Sequence, residues 1–158
     1  MKSILSALVP GRGARAEALS FKSYRHTPFQ HLEFEILESW LPVENGNEWV
    51  FTDEKCRLPQ LFFQTVGKTA EFDSAASFVD FLRAQKPGQD YGRATSSLAS
   101  GFRAVELEYE EAGENLQVFA LIVDVGEGIL WFSVKTTIDR ADDHRPIVER
   151  LRTTLSFR

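Results

Sequence analysis

Apolar residues recur at every second position through much of this chain, most clearly between residues 101 and 138. Val105, Leu107 and Tyr109 alternate with Glu106, Glu108 and Glu110, a period of two that puts the sets on opposite faces of a strand over 102–110. A helix of these residues would scatter the glutamates round its surface. Ala112-Gly113-Glu114-Asn115 closes a hairpin onto a strand over 116–125 that is apolar on both faces. Leu116, Val118, Ala120 and Ile122 form one face; Phe119, Leu121, Val123 and Val125 form the other. Such a strand lies inside a sheet and needs cover on both sides. Gly126-Glu127-Gly128 turns the chain into a third strand over 129–138, led by Trp131 and Phe132.

The rest of the chain fits around this stretch. Leu19, Phe21 and Ser23 alternate with Ser20, Lys22 and Tyr24, an edge-strand pattern that His26-Thr27-Pro28 turns into a second strand. There Leu32, Phe34 and Ile36 alternate with Glu33, Glu35 and Leu37, and the strand is expected to end at Ser39-Trp40-Leu41-Pro42, because proline cannot donate to a ladder. Asn45-Gly46-Asn47 marks a turn before strands at 49–52 and 61–66. A helix is expected over 73–86, capped by Asp73, with Ala75, Phe78, Val79 and Leu82 on one stripe and Pro87-Gly88 as its stop. Residues 89–100 read as a loop or one short edge strand. A last helix over 143–157 takes Asp142 and Asp143 as caps, Pro146 in its first turn and Ile147, Val148, Leu151 and Leu155 as its core stripe. Bunched rather than alternating strands give an α+β domain, an antiparallel sheet flanked by two main helices in an α/β/α sandwich.

Composition narrows the class. The 158 residues suit one domain, with 43% apolar content and thirteen Phe to fill a core. A formal charge of −5 argues against a nucleic-acid partner, which would call for a basic stripe. No apolar run approaches the roughly 20 residues of a membrane span, so a soluble protein is expected. Residues 1–16 read as a tail ahead of a domain over 17–158. Its apolar run over 4–9 and Ala14-x-Ala16 mimic a signal peptide. The run is short of the roughly 7–15 residues such a signal uses, and Arg12 and Arg15 crowd the cleavage region. The expected compartment is the cytoplasm, with export on a weak signal as the alternative.

Candidate chemistry is sparse. His26, His31 and His144, with Asp142 and Asp143, lack metal-site spacing and are expected to be exposed or capping; no metal or cofactor is expected. Cys56 is the sole cysteine, so no intramolecular disulfide can form; Lys55 and Arg57 beside it would lower a thiol pKa, but no histidine partner is identifiable. There is no G-x-S-x-G elbow, and Gly11-x-Gly13 and Gly126-x-Gly128 do not open a helix after a strand. Trp40, Trp49, Trp131 and Phe132 are expected in the core, or on an uncovered sheet face that would hold a partner. The candidate partner-binding residues are Glu106, Glu108, Glu110 and Trp131. The glutamates line one strand face, where like charges cost stability unless something opposes them.

Several features together resemble the superfamily containing PsbP, Mog1, LpqN-type lipoproteins, DcrB-like proteins and Eag-type adaptors. These are the strand pair ending in Trp40, Leu41 and Pro42, the Phe-rich strand before a helix, the three long strands, and a final helix closing on Ser156 and Phe157. Tyr24-Arg25-His26 is similar to the opening of the adaptors, although this chain carries some twenty residues before it and no lipobox cysteine. The resemblance implies a non-enzymatic protein-binding or adaptor domain. A chaperone for a type VI secretion effector is one alternative. A small enzyme or ligand-binding domain with a pocket between sheet and helix is the other.

Overall fold

The computed structural model describes residues 18–29 and 31–157, so the tail expected over 1–16 lies outside the described residues. Among these, ten strands and two α-helices follow in the order β1 (Phe21–His26), β2 (Leu32–Leu37), β3 (Leu41–Asn45), β4 (Glu48–Thr52), β5 (Gln60–Gly67), α1 (Ala75–Gln85), β6 (Thr95–Ala99), β7 (Phe102–Glu111), β8 (Leu116–Asp124), β9 (Gly128–Thr137), α2 (Ala141–Thr154) and β10 (Ser156–Phe157). Seven strands form one antiparallel sheet, ordered β3-β4-β5-β9-β8-β7-β6, and β1-β2-β10 form a smaller one. The fold is α+β, as the clustering of strands implied.

The two-sided apolar strand does what its sequence requires. β8 is paired on one side with β7 and on the other with β9, and is buried from Val118 to Val123. Phe119, Leu121 and Val123 enter one core; Ala120 and Ile122 enter the other. One core lies under α1, whose stripe of Ala75, Phe78, Val79 and Leu82 packs over β7 and β8. On the opposite face α2 packs over β6, β8 and β9 and also against β2. That face is shared: β1 and β2 roof the part α2 leaves, with Tyr24 on Phe51 (4.9 Å), His26 on Phe63 (5.1 Å) and Phe34 on Phe132 (5.1 Å). The flank thus consists of a helix and a small sheet side by side.

Five local expectations change. Leu41-Pro42 opens a strand instead of ending one, because β3 is an edge strand paired only with β4, where a missing N–H costs no ladder bond on the open side. Ser74, not Asp73, caps α1: Ser74 Oγ accepts from the Ser77 amide (3.1 Å) and Ser77 Oγ accepts from the Ser74 amide (3.0 Å), a closed capping box. The second helix starts earlier, at Ala141, so Asp142 and Asp143 sit inside its first turn, near its positive end, and Arg140 at the cap position makes no side-chain cap bond. Pro146 then falls at the sixth position, beyond the first turn, and the Asp142 carbonyl loses its usual amide donor. The same helix stops at Thr154, and Ser156–Phe157 becomes β10 against Glu33 and Leu32 of β2.

Candidate functional site

Cross-strand partners share a face, so the register of the large sheet lays its residues out in rows. On the α1 side the central row runs from β3 to β7 as Val43, Val50, Phe62, Ser133, Ala120 and Leu107. A row beside it contains Gln64, Trp131, Ile122 and Val105; the row on the other side contains Gln60, Lys135, Val118 and Tyr109. Helix α1 has only three turns and lies over the β7–β8 half. The β3–β4–β5 half of the same face is left uncovered among the described residues. Leu41 is 54% exposed and Val43 49% exposed there, with Val50 and Phe62 half-buried beside them.

Where the covered half meets the open half, a cleft of about 330 Å³ runs along α1. In the central row the small Ser133 stands beside the large ring of Phe62, and both line the cleft. Phe62, Trp131, Ser133 and Lys135 form the floor, Leu82 and Gln85 of α1 with the C-cap Lys86 the wall, and Tyr91, Tyr109 and Glu111 one end. Lys135 Nζ lies 3.2 Å from each Glu111 carboxylate oxygen and 4.6 Å from the Phe62 ring centroid. Trp131 packs edge-on against Phe78 at 5.3 Å, and its buried Nε1 has no acceptor among the described residues. Burial pushes the Tyr109 hydroxyl above the ordinary phenol range, helped by Tyr91 and Glu111; burial first and Glu111 second do the same to Tyr91. Both phenols therefore stay protonated donors. No serine or cysteine stands beside a histidine among the described residues that line this cleft.

The four expected partner-binding residues do not form one site. Trp131 lies in the cleft on the α1 side. Glu106, Glu108 and Glu110 share the opposite face with Leu121, Phe119 and Gln117, their cross-strand partners. There Arg145 of α2 donates from Nη2 to Glu108 Oε1 (3.1 Å) and from Nε to Glu108 Oε2 (3.3 Å), while its guanidinium covers the Phe119 ring at 5.2 Å. Bonds to Glu108 and Asp142 hold the arginine pKa above its already high ordinary value. Arg152 Nε sits 3.7 Å from Glu106 and also pairs with Glu149. Glu110 is exposed near the end of β7, with its backbone carbonyl accepting from Gln89 Nε2 at 2.9 Å. Two of the three like charges that raised the question of a partner are thus opposed by the chain itself.

The histidines are placed differently from expectation. His26 and His144 are buried, and only His31 is exposed. His26 Nδ1 shares a hydrogen bond with the Tyr24 hydroxyl (2.9 Å), and His144 Nδ1 shares one with Thr136 Oγ1 (2.6 Å). Burial lowers both pKa values; for His144 the Arg140 charge adds to the lowering and Asp143 opposes it. Their neighbours are aromatic rings and a helix, which no spacing in the sequence announced. No group of three or more His, Cys, Asp or Glu side chains gathers among the described residues in a way that would hold a metal ion. Cys56 is exposed just after a turn, with φ of 56°, and its amide donates to the Asp53 carbonyl at 3.0 Å. No helix among the described residues is long and apolar enough to cross a membrane.

The residues that sequence reasoning missed are Leu41 and Val43. Their one signal was two apolar side chains flanking a proline, which reads equally as a loop.

No protein-family model matches the sequence, and no curated protein matches it. Solved structures do match in fold. Cyanobacterial PsbP (CyanoP) from Synechocystis sp. PCC 6803 aligns with TM-score 0.64 at 18% identity, over 94% of this chain and 98% of that one. The Saccharomyces cerevisiae Ran-binding protein Mog1p aligns with TM-score 0.62 at 5% identity, over 89% and 96%. LpqN of Mycobacterium tuberculosis, involved in cell envelope biogenesis, aligns with TM-score 0.50 at 11% identity, over 90% and 94%. The chain has the PsbP/Mog1-like fold, and the resemblance read from its strands and aromatic positions holds at that level. Identities this low speak for the fold alone.

Proposed function

We propose that this protein is a non-enzymatic binding or adaptor domain, and that it holds a partner polypeptide on the open β3–β4–β5 half of the α1-side sheet face. One observation carries the reading: Leu41, Val43, Val50 and Phe62 form a contiguous apolar patch on a sheet whose other face is roofed at its centre by α2, β1 and β2. Covering an exposed leucine or valine returns about 1.5–3 kcal/mol relative to leaving it in water, so the patch favours a partner that brings apolar side chains. Mog1p, similar in fold, is a Ran-binding protein, which supports a protein partner here without naming it. Trp131, at the margin of the patch, stays in the proposed surface. The exposed Glu110 is retained only as a lesser contact on the other side.

A chaperone for a type VI secretion effector is the narrower form of this reading, and it would use the same patch to hold an apolar segment of the effector. The cleft beside α1 favours a second reading, a domain that binds a small ligand between sheet and helix. Affinity capture with mass spectrometry, run in parallel on the natural protein and on a Leu41→Lys, Val43→Lys variant, separates these readings. A partner retained by the first and lost by the second is the expected result. Equal capture by both, or turnover in a substrate screen, overturns the adaptor reading.

A further inference from the structure

We infer that the free edge of β6 pairs with an extended, acidic segment of a partner protein, which adds a strand to the large sheet. This surface lies at the opposite edge from β3 and goes beyond the reading above.

The two edges of the large sheet, β3 and β6, are not equivalent. Each is tied to its neighbour by a two-residue hairpin loop, closed by Asn45 and Glu48 at one edge and by Ala99 and Phe102 at the other. The pair that closes such a loop exchanges both backbone hydrogen bonds, and every second residue along the strand does the same. Asn45, Val43 and Leu41 therefore bond inward to β4, and Ala99, Ser97 and Thr95 inward to β7. The outward residues are Pro42 and Glu44 on β3 and Ser96 and Leu98 on β6. Proline has no N–H to offer, so β3 is blunted against a further strand. Ser96 and Leu98 keep theirs. Both residues are exposed, and the Ser96 amide and carbonyl and the Leu98 amide have no hydrogen-bond partner among the described residues. The Leu98 carbonyl accepts only a long bond of 3.4 Å from Arg152 Nη1. An edge of this kind is a template for strand addition.

Charge decides what is added. Ser96 and Leu98 share the α1 face with their cross-strand partners Val105 and Arg103. There a groove between β6 and the start of α1 is lined by Ala75, Ala76, Leu98, Val105 and Arg103. Arg103, and Arg93 two residues ahead of β6, are exposed and make no ion pair among the described residues. Asp124, whose carboxylate feels the Arg103 charge, is held by Lys68 Nζ at 2.8 Å, and Glu106, cross-strand from Thr95, lies 3.7 Å from Arg152 Nε. A protein of net charge −5 thus carries two unmatched arginines beside the unblocked edge of its large sheet. An acidic residue opposite Leu98 would stand two strand spacings, about 10 Å, from Arg103, a gap that the two side chains span together. A second copy of the chain brings the same arginines. Residues 1–17 carry Lys2, Arg12 and Arg15 against Glu17 alone, so neither of these supplies the charge.

The test uses the full chain, labelled with nitrogen-15, and a capped peptide, Thr-Glu-Val-Glu-Val-Glu-Thr, added at millimolar concentration. Its controls are the same peptide with lysine for glutamate, and two forms N-methylated on one or the other set of alternate amides. The expected result is movement of the Ser96 and Leu98 amides, with slower hydrogen exchange there, on adding the glutamate peptide. The lysine peptide is expected to bind about tenfold or more weakly. One methylated form should lose binding and the other keep it, because only alternate amides of an added strand face the edge. Ser96→Pro removes an outward N–H without cutting the ladder to β7, and it is expected to abolish binding. Arg103→Glu is expected to shift preference toward the lysine peptide, a readout that holds even where Ser96→Pro loses its fold. Four results overturn the inference. Equal binding of glutamate and lysine peptides removes the acidic partner. Equal binding of the two methylated forms removes strand addition. A dimer in sedimentation, with Ser96 and Leu98 protected before any peptide is added, makes a second copy the occupant. If no peptide moves Ser96 or Leu98, the edge falls, and the docking surface beside β3 is left to the capture experiment.

Discussion

On the α2 side of the large sheet Phe63 and Phe132 stack at 4.7 Å, and Phe34 closes over them edge-on, whereas on the α1 side the same two strands carry Phe62 and Ser133 to the floor of an open cleft. Both faces come from one set of residues alternating along β5 and β9, so the difference is not one of strand quality. It lies in what covers them. A second sheet and a helix divide the α2 side between them, while the α1 side has a single three-turn helix. Aromatic burial on the closed side supplies stability that lets Leu41 and Val43 stay exposed on the other, with Val50 and Phe62 half-buried beside them. Such a division of labour between two faces of one sheet is the physical basis of the binding role proposed above.

Substitutions that treat the faces differently test the contrast. The largest expected effect is Phe132→Ala on the closed face, a loss of about 3–5 kcal/mol in urea unfolding, because the cavity cannot collapse among stacked rings. Phe62→Ala, half-buried on the open face, is expected to cost clearly less; equal losses would mean that both faces are core. Next comes Gly92→Ala. Gly92 has φ of 70°, and a Cβ there would stand 2.9 Å from the Glu108 carbonyl oxygen, so about 1–3 kcal/mol should be lost, read as a fall in Tm.

The pH response should also belong to the closed face. Folded His26 and His144 have lowered pKa values, so the unfolded chain takes up protons first as pH falls. Stability is then full above the unfolded imidazole value of about 6.5 and declines as pH drops toward the folded values. Urea midpoints measured across that window should fall with acid, and His26→Phe should flatten the slope; an unchanged slope would remove His26 from the account. The smallest effect on stability is expected from Leu41→Lys, Val43→Lys, within about 0.5 kcal/mol of the natural protein, together with loss of partner capture. A large destabilisation by this pair would show that the patch is structural.

Much of this contrast could be read in advance, and the unreadable part has a common cause. The three long strands were legible because neither period-two alternation nor a two-sided apolar run of that length suits a helix or a loop, and α1 and α2 were legible from their stripes. β3 was not: all five of its residues are exposed, so it has no burial pattern, and its proline argued for an end. β10 was hidden because Leu155 continues the helical stripe of α2, and only pairing with β2 makes Ser156 and Phe157 a strand. The candidate site suffered most. Trp131 could be picked out as an aromatic on a strand, but its placement opposite the glutamates follows from the register of β7, β8 and β9. The arginines that oppose Glu106 and Glu108 lie on α2, about forty residues further along the chain. Sites set by long-range pairing leave little trace in local pattern.

The position of β9 between β5 and β8 has a consequence in time as well as in space. β3–β4–β5 and β6–β7–β8 are each joined by local pairing, but they meet only through β9, which is made after both. Until β9 pairs, the edges of β5 and β8 have no partner strand. Such long-range closure is slow, and open edges beside apolar faces invite association with other chains. Pairing of β9 is the step that joins the two sets of strands into one sheet.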